Sequence, residues 1–267
     1  MKIIVPIKQV PESSKVKMDS ETGMVIRTGV ETVVNPLDLY ALETALRLKE
    51  QYGGTVTALT MGPPQAKRVL KEAEAMGCDN AVLVSDRAFG GADTWATSYT
   101  LSQAIKKIGN FDLIITGERA TDGDTAQVGP GIAAHLDLPV VAYVSKIREI
   151  KDGRIYPERL MEEGYEQLSL PLPCLITVVK EIGVPRLPTL KGKIRSRELE
   201  IPLFSTENMD LQKEYLGLNG SPTRVVKIDS PRITRGGRLV NAMEGGEEAL
   251  QSAADAFMLL LEERGII

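Results

Sequence analysis

The chain has very few of the residues that build metal centres and nucleophilic active sites. Two cysteines and one histidine occur in 267 residues, and Cys78, Cys174 and His135 are far apart in the sequence. No metal site is predicted, because zinc needs a cluster of such ligands. The cysteines lie beside apolar strand sequence and are expected to be buried free thiols in a reducing compartment. His135 falls mid-helix, which favours a partly buried structural histidine, so no catalytic side chain is predicted.

The sequence also lacks an excess of positive charge and any long apolar run. It has 32 Lys and Arg against 36 Asp and Glu, a net charge of −4, which argues against nucleic-acid binding. No run of 18 apolar residues occurs, so membrane insertion is not expected. The stretch Met1–Val5 meets Pro6 and Lys8 at once, which indicates a first strand rather than a secretion signal, and we expect a cytoplasmic protein.

What the sequence does have is a regular alternation of strand and helix patterns. Apolar runs rich in β-branched residues predict the strands Lys2–Ile7, Thr55–Met61, Ala81–Val84, Phe111–Thr116 and Val140–Val144. Helical patterns lie between them: one capped by Asp38, one that ends at Met76, and two over Asp93–Ile108 and Thr125–Leu136. Short connections between such elements predict an α/β fold with a mostly parallel, doubly wound sheet, in layers like those of flavodoxin and Rossmann folds.

The pattern changes in the second half of the chain. Asp152-Gly153 and Glu162-Glu163-Gly164 are turn signals that predict antiparallel strands at one edge of the sheet, before a last buried strand at Cys174–Val179. We therefore predict a nucleotide-binding domain over residues 1–183. Residues 184–267 are predicted as an extended basic arm over Val184–Arg197, a short strand at Arg224–Ile228 and a terminal helix over Glu244–Glu263. The arm could embrace a partner subunit or pack on its own domain.

Within the run Gly117–Gly131, the loop Gly117–Gly123 is the first candidate for a ligand site. It leaves the carboxyl end of a predicted strand and enters a predicted helix, which is where open α/β sheets bind ligands. Asp124 is a candidate N-cap, with Gln127 at the capping-box position. The free N–H groups of Thr125, Ala126 and Gln127 could hold a phosphate. The carboxylates of Asp122 and Asp124 would repel a phosphate and suit ribose hydroxyls better, so an ordinary capped turn stays an alternative.

The stretch Phe89–Ser98 repeats this geometry on a neighbouring strand. It passes Gly90-Gly91 and enters a helix at Asp93, with hydroxyls on Thr94, Thr97 and Ser98. Two helix starts side by side could hold the pyrophosphate and ribose of a dinucleotide. The stretch also resembles the SGGxDS loop of ATP pyrophosphatases, although Phe89 replaces the leading serine. A GxGxxA pattern begins at Gly129, but it lies twelve residues beyond its strand and is discounted.

Several further pieces occur in one order along the chain. They are the N-terminal KIIVPIKQVPE, Asn35-Pro36, the Met-Gly-Pro at Met61–Pro63, the DGDTAQVGPGIA stretch from Asp122, and Glu166-x-Leu168 followed by Pro173-x-Leu-Ile-Thr177. As an ordered set they resemble the β subunit of electron-transfer flavoproteins over nearly the whole chain. The last piece resembles the family signature, although Glu163 stands where glycine or aspartate is usual.

The resemblance implies a heterodimer with an α subunit and an adenine nucleotide bound in the β-subunit fold. The residues that would hold the cofactor, including those of the stretch from Gly91 to Ser98, are Pro6, Asn35, Pro36, Leu37, Asp38, Met61, Asp93, Thr94, Thr97, Asp122, Gly123, Asp124, Thr125, Ala126, Gln127, Val128 and Gly129. The arm over Leu187–Arg197 would dock on partner dehydrogenases, with Leu190 as its apolar anchor and Lys191, Lys193 and Arg195 as basic contacts.

The family contains two types, and the stretch Gly91–Ser98 resembles the electron-bifurcating one. That type holds FAD here, takes hydride from NADH and splits the electrons between a flavin-containing dehydrogenase and a low-potential acceptor, ferredoxin or flavodoxin. In the simple carrier type the site holds a structural AMP. Two interpretations outside the family stay open: an ATP-pyrophosphatase-like enzyme and a non-catalytic nucleotide-binding module.

Overall fold

The structure, a computed structural model, describes residues 1–12, 17–18, 25–26, 31–226 and 245–266. The chain divides into two compact units, Met1–Lys227 and Ile228–Ile267. The strands of the first unit are β1 (Lys2–Pro6), β2 (Gln9–Pro11), β3 (Lys17–Met18), β4 (Val25–Ile26), β5 (Thr32–Val34), β6 (Thr55–Met61), β7 (Asn80–Val84), β8 (Leu113–Gly117), β9 (Val140–Lys151), β10 (Arg154–Met161), β11 (Gly164–Gln167), β12 (Leu170–Pro171), β13 (Cys174–Val178) and β14 (Leu203–Phe204). Its helices are α1 (Pro36–Tyr52), α2 (Lys67–Met76), α3 (Thr94–Ile108), α4 (Val128–Leu136) and α5 (Leu190–Glu198).

One large sheet forms the centre of the first unit, as the alternating pattern predicts. Among the described residues ten strands join it; nine follow the order β11-β10-β9-β13-β8-β1-β6-β7-β14, and β12 pairs with β10. The strands from β9 to β14 in this order pair in parallel, and β10 and β11 add antiparallel pairs at one edge. The chain runs outward from β1 through β6 and β7 and then returns to β8 on the other side of β1. That reversal makes the β1/β8 boundary the topological switch point.

Alternate residues of the central strands face two separate hydrophobic cores, which confirms the doubly wound prediction. Ile3 of β1 packs with residues of α1 and α2, including Leu42 and Leu70. Its neighbour Ile4 packs on the opposite face with Ile105 of α3 and Ile132 of α4. Both faces are buried because successive side chains of a strand point to opposite sides.

The hairpin between β9 and β10 is confirmed at its predicted turn. Asp152 and Gly153 have φ values of 51° and 71°, the left-handed pair that a two-residue hairpin loop requires. β9 reaches Lys151, well beyond the predicted end at Val144. It is longer because its outer half pairs with β10 instead of entering the parallel part of the sheet.

Two predicted helix starts need correction. Helix α4 begins at Val128 instead of Thr125, because Asp124 and Ala126 have φ values of 53° and 54° and left-handed residues cannot open a right-handed helix. Asp124 is therefore not the N-cap of this helix. Asn35 stands at the N-cap position of α1, and Asp38 lies inside the first turn.

The predicted arm is extended only at its start. Residues 184–189 have no regular structure, whereas Leu190–Glu198 form α5, with the Thr189 hydroxyl accepting a hydrogen bond from Gly192 N at 2.9 Å. The Arg195 guanidinium donates to the backbone oxygens of Glu74 and Cys78, at 2.7 and 2.9 Å. These contacts seat α5 on the end of α2, which is the physical reason for the correction.

The first unit extends to Lys227, beyond the proposed domain boundary after residue 183. Within the strand predicted at Arg224–Ile228, residues 224–226 have no regular structure, and the remaining two residues lie outside the described ranges. β14 was not predicted, because two residues are too short a run to give a strand signal.

The described part of the second unit is helix α6 (Gly246–Glu263), which confirms the predicted terminal helix. Leu250 and Phe257, both on its predicted apolar face, are 64% and 59% exposed. Across the described ranges, no helix combines the length and the apolar character needed to cross a membrane.

Candidate functional site

A cavity of about 660 Å³ opens at the carboxyl ends of β1 and β8, at the topological switch point. Its size lies within the range of roughly 300–1,000 Å³ that is typical of ligand pockets. The residues that line it are Pro6, Ile7, Lys8, Asn35, Asp38, Met61, Phe89, Gly91, Ala92, Asp93, Thr94, Thr97, Leu101, Thr116, Gly117, Glu118, Arg119, Ala120, Gly123, Asp124, Thr125, Ala126, Gln127, Val128, Gly129, Thr223 and Val225.

Most of the residues that we predicted for a cofactor site are brought together here. The lining includes the predicted residues Pro6, Asn35, Asp38, Met61, Asp93, Thr94, Thr97, Gly123, Asp124, Thr125, Ala126, Gln127, Val128 and Gly129. Pro36, Leu37 and Asp122 do not line it. The two predicted loops meet directly, since the Thr94 hydroxyl donates to Gln127 Oε1 at 2.9 Å.

The first turn of α1 holds the floor of the cavity in place. Asn35 Nδ2 donates to the backbone oxygen of Arg119 at 2.9 Å, and its Oδ1 accepts from Thr121 N at 3.2 Å. The buried Asp38 carboxylate accepts the backbone N–H of Lys8 at 2.7 Å. A Cβ on Gly117 would lie 2.5 Å from Asp38 Oδ1. The α1 start therefore fixes the ends of β1 and β8 and the loop between them and α4.

The Asp38 carboxyl is a buried titratable group inside this cavity. Burial raises its pKa to about 7, although hydrogen bonds from the Lys8 backbone, the Asn35 side chain and the Gly117 backbone act in the opposite direction. Desolvation disfavours the charged form of a carboxyl in this way. The group therefore titrates near neutral pH.

Two ion pairs neutralise the acidic residues of the loop. Lys8 Nζ lies 2.6 Å from Asp122 Oδ1, and Arg119 Nη1 lies 2.6 Å from Asp124 Oδ1. The Asp124 carboxylate and, next, that of Glu118 raise the pKa of the Arg119 guanidinium. The repulsion of phosphate that the sequence suggested is therefore offset by cations at the same edge of the cavity.

The loop that precedes α4 presents a row of free backbone donors. Among the described residues, the N–H groups of residues 125–129 have no hydrogen-bond acceptor, and Gln127 makes no side-chain cap. The left-handed φ values of Asp124 and Ala126 turn the backbone on either side of Thr125, a type of strain that concentrates at functional sites. Free amides at a helix N-terminus attract anions.

One buried side-chain donor beside this loop also lacks a partner. Thr116 is 6% exposed, and no described group hydrogen-bonds its Oγ1. A Cβ on Gly129 would lie 2.7 Å from that oxygen and 2.9 Å from Thr177 Cγ2, so only glycine lets α4 approach the strand ends this closely. A buried hydroxyl without a partner is costly unless a ligand satisfies it.

The start of α3, which we predicted as a second anion site, is capped by a side chain of the protein. Asp93 Oδ1 accepts the N–H groups of Trp95 and Ala96, both at 3.0 Å, so the side chain caps the helix. Its Oδ2 accepts from the backbone N–H and the hydroxyl of Thr223, at 3.0 and 2.7 Å. Burial raises the pKa of the Asp93 carboxyl, but these hydrogen bonds outweigh burial and hold it below its usual range. The N-terminus of α3 is thus already filled by a carboxylate of the protein.

Sequence reasoning missed several residues of the lining. Thr116 could have been found, because it ends a predicted strand beside the central loop. Thr223 and Val225 could not, because they follow α3 by more than 110 residues and no local pattern links them to the cavity.

The single histidine and the two cysteines of the chain show little apparent chemistry. His135 is partly buried with its ring edge-on to Trp95 at 5.2 Å, and burial lowers its pKa, as expected for a structural histidine. Cys78 and Cys174 are buried free thiols, and burial raises the pKa of each to about 12. The described residues contain no group of three His, Cys, Asp or Glu side chains that could hold a metal ion.

Comparison with known proteins identifies the family. The model of the electron transfer flavoprotein domain matches residues 22–205, more than half of the chain. The chain belongs to the electron transfer flavoprotein family. It is 46% identical to the caffeyl-CoA reductase-Etf complex subunit CarD of Acetobacterium woodii, over the full length of both proteins.

Two further relatives match most of the chain. The electron transfer flavoprotein subunit beta of Thermoanaerobacterium thermosaccharolyticum is 46% identical over 90% of this chain and 92% of its own length. The protein FixA of Azotobacter vinelandii is 42% identical over 95% of this chain and 93% of its own length. The chain is an electron transfer flavoprotein β subunit, as the ordered motifs predicted.

The titration of Asp38 predicts a pH dependence of folding. The pKa rises from an ordinary value of 3.8 to about 7 in the folded protein, so the folded state binds this proton more tightly than the unfolded state. The resulting stabilisation is complete below pH 4 and is lost as the pH rises through about 7. Urea unfolding between pH 5 and 8 should show Asp38→Asn gaining stability relative to wild type as the pH rises.

Asp86→Asn is the matched control for this measurement. Hydrogen bonds from the Thr206 side chain and the Ala88 backbone hold the pKa of Asp86 below its usual range, so its replacement should give a constant offset between pH 5 and 8. Parallel profiles for Asp38→Asn and wild type would contradict the assignment of a neutral-range titration to Asp38.

Proposed function

We propose that this chain is the FAD-binding β subunit of an electron-bifurcating flavoprotein. In complex with an α subunit it accepts hydride from NADH and divides the electrons between a flavin-containing dehydrogenase and a low-potential acceptor, ferredoxin or flavodoxin. The observation that carries the proposal is the single cavity that joins the free-amide loop at residues 125–129 to the start of α3. A long phosphate-linked cofactor needs both parts, whereas AMP needs only one.

The loop at residues 125–129 suits the phosphate end of such a cofactor. Its free N–H groups and the unpartnered Thr116 hydroxyl are donors without acceptors in the described chain. Lys8 and Arg119 balance the nearby carboxylates. These residues would hold the phosphates and leave the Asn35–Asp38 turn to fix the loop around them.

The cavity also extends along the start of α3. It presents the hydroxyls of Thr94 and Thr97, the apolar side chain of Leu101, and the wall formed by Thr223 and Val225. Such a mixture suits the polyol chain and ring system of a flavin. When bound, the flavin supplies acceptance of hydride from NADH and the division into single electrons, while the protein supplies orientation and exclusion of water.

The names of the relatives support a redox assembly. One is a subunit of a caffeyl-CoA reductase-Etf complex, and another is named electron transfer flavoprotein subunit beta. We therefore propose a heterodimer with an α subunit that also engages a dehydrogenase.

The docking surface that we propose for the dehydrogenase is the exposed side of α5 and the residues before it. Leu187 and Leu190 are 85% and 77% exposed, and Lys191 and Lys193 have no ion-pair partner among the described residues. Arg195 plays a different part, because its guanidinium seats α5 on α2. Exposed leucines beside lysines that have no described ion-pair partner fit a partner surface that is apolar at the contact and acidic around it.

Two alternatives remain to be separated. A carrier with structural AMP uses the same phosphate loop but leaves the α3 part of the cavity without a function. An ATP-pyrophosphatase-like enzyme would need Asp93 and the neighbouring amides for its own phosphates, and the Asp93 carboxylate already occupies the amides of Trp95 and Ala96.

The identity of the bound nucleotide tests the first part of the proposal. We expect heat-denatured heterodimer to release FAD from both subunits, two per heterodimer by mass spectrometry, because the cavity of this chain extends along α3. Recovery of one FAD together with AMP would instead establish the simple carrier.

Anaerobic titration with NADH tests the second part. The heterodimer should lose its flavin absorbance as NADH is added, because hydride passed from NADH to the proposed flavin reduces it. NADPH at the same concentration is the control for a specific donor. Flavin that stays oxidised in excess NADH would contradict a role in accepting hydride.

Replacement of Leu190 tests the docking surface. Truncation of a buried apolar anchor weakens a complex by roughly tenfold or more, so Leu190→Ala should weaken binding of the partner dehydrogenase by that factor and leave the nucleotide content unchanged. Leu203→Ala, at a leucine that is 49% exposed on β14, is the matched control. Equal affinities for the two variants, measured by calorimetry, would exclude α5 as the docking site.

A further inference from the structure

Residues 205–225, here called the strap, run along α3 and return to the mouth of the cavity. At its beginning, Thr206 donates its backbone N–H to Asp86 Oδ2 at 3.1 Å, and its hydroxyl donates to the same oxygen. Farther along, Gln212 N donates to the Tyr99 hydroxyl at 2.9 Å. The strap is therefore attached at intervals to α3 and to the segment before it, and it does not depend on one contact.

Near the cavity the strap is attached to the loop that precedes α3. Leu218 N donates to the Gly90 oxygen at 3.0 Å, and Asp93 N donates to the Ser221 hydroxyl at 2.8 Å. Gly91 has a φ of 72°, and a Cβ there would lie 3.2 Å from Leu218 Cβ. Gly90 and Gly91 thus allow Leu218 of the strap to pack closely against this loop.

The last attachment is the pair Asp93 and Thr223. The carboxylate of Asp93 accepts two hydrogen bonds from Thr223 while it caps α3 with its other oxygen. Beyond this pair, residues 224–226 have no regular structure, and Val225 and Val226 are 81% and 96% exposed. Thr223 and Val225 nevertheless line the cavity. Among the described residues, Asp93 therefore makes the last contacts that attach the strap beside the cavity.

This arrangement changes the role expected for Asp93. Both of its oxygens already accept hydrogen bonds from the protein, so it has little capacity left to bind a nucleotide hydroxyl. We infer that Asp93 and Thr223 form a latch that holds residues 221–225 as a wall of the cavity and thereby limits the rate at which the nucleotide leaves. The inference rests on the proposed function, because it takes the cavity to be the FAD site.

The molecule contains its own reporter of the latch. Trp95 is the only tryptophan of the chain and follows Asp93 by two residues. Its ring lies edge-on to Tyr215 of the strap, with centroids 5.1 Å apart. Release of the strap from α3 should therefore change the tryptophan fluorescence even when no nucleotide is bound.

Two variants and one control test the latch in the full-length chain. Thr223→Val removes the hydroxyl donor and keeps the volume of the side chain. Asp93→Asn removes the charge but keeps a good N-cap for α3, since asparagine caps as well as aspartate. Asp86→Asn weakens the similar pair with Thr206, away from the cavity.

The first readout needs no nucleotide. Amide hydrogen exchange over residues 216–226 and Trp95 fluorescence should both change in Thr223→Val and Asp93→Asn, and should match wild type in Asp86→Asn. Unchanged protection of this segment in both latch variants would overturn the inference.

The second readout is the rate at which FAD leaves the FAD-loaded chain after dilution. It is measured from the recovery of flavin fluorescence. Loss of charge-assisted hydrogen bonds should speed release about tenfold in the latch variants, with no change in Asp86→Asn. Release at the wild-type rate from a variant whose segment 216–226 exchanges faster would overturn the control of nucleotide exit. If the wild-type chain takes up no FAD although hydrogen exchange shows residues 216–226 to be protected, the result would instead overturn the proposed function.

Discussion

The buried Asp38 carboxylate is the contact on which the rest of the site depends. It joins the start of α1 to the backbone that follows β1 and packs against Gly117 at the end of β8. Asn35, at the N-cap position of the same helix, holds both sides of the loop after β8. A carboxylate at the first turn of a helix is favoured by the helix dipole, yet burial raises its pKa to about 7. The site therefore depends on a carboxyl group, that of Asp38, whose ionised form is only marginally favoured at neutral pH.

The contacts of Asp38 and Asn35 support the loop before α4, whose backbone is strained. Asp124 and Ala126 have left-handed φ values, which cost energy for residues with a Cβ. The same geometry leaves five consecutive N–H groups without an acceptor in the described chain. A loop that kept its hydrogen bonds internally would be more stable but would offer nothing to an anion. Membership of the electron transfer flavoprotein family is consistent with such a site.

The two helix starts at the cavity, which look alike in the sequence, have different chemistry. At α4 the amides are free and glycine replaces any side chain that would separate the helix from Thr116. At α3 the amides are capped by Asp93, whose second oxygen binds the strap. The pattern of glycine, aspartate and hydroxyl residues is compatible with both outcomes, because a capping side chain and a bound anion satisfy the same N–H groups.

The order of strands and helices, the doubly wound sheet and the hairpin at Asp152-Gly153 could be read from the sequence, because they follow from local periodicity and turn chemistry. The ordered motifs also determined the family by themselves. Only the tertiary structure decided that α4 starts at Val128, that Leu190–Glu198 are helical, and that Thr223 lines the cavity. Those features depend on contacts between residues distant along the chain, such as Arg195 with the end of α2 and Thr223 with Asp93, and no local pattern encodes such contacts.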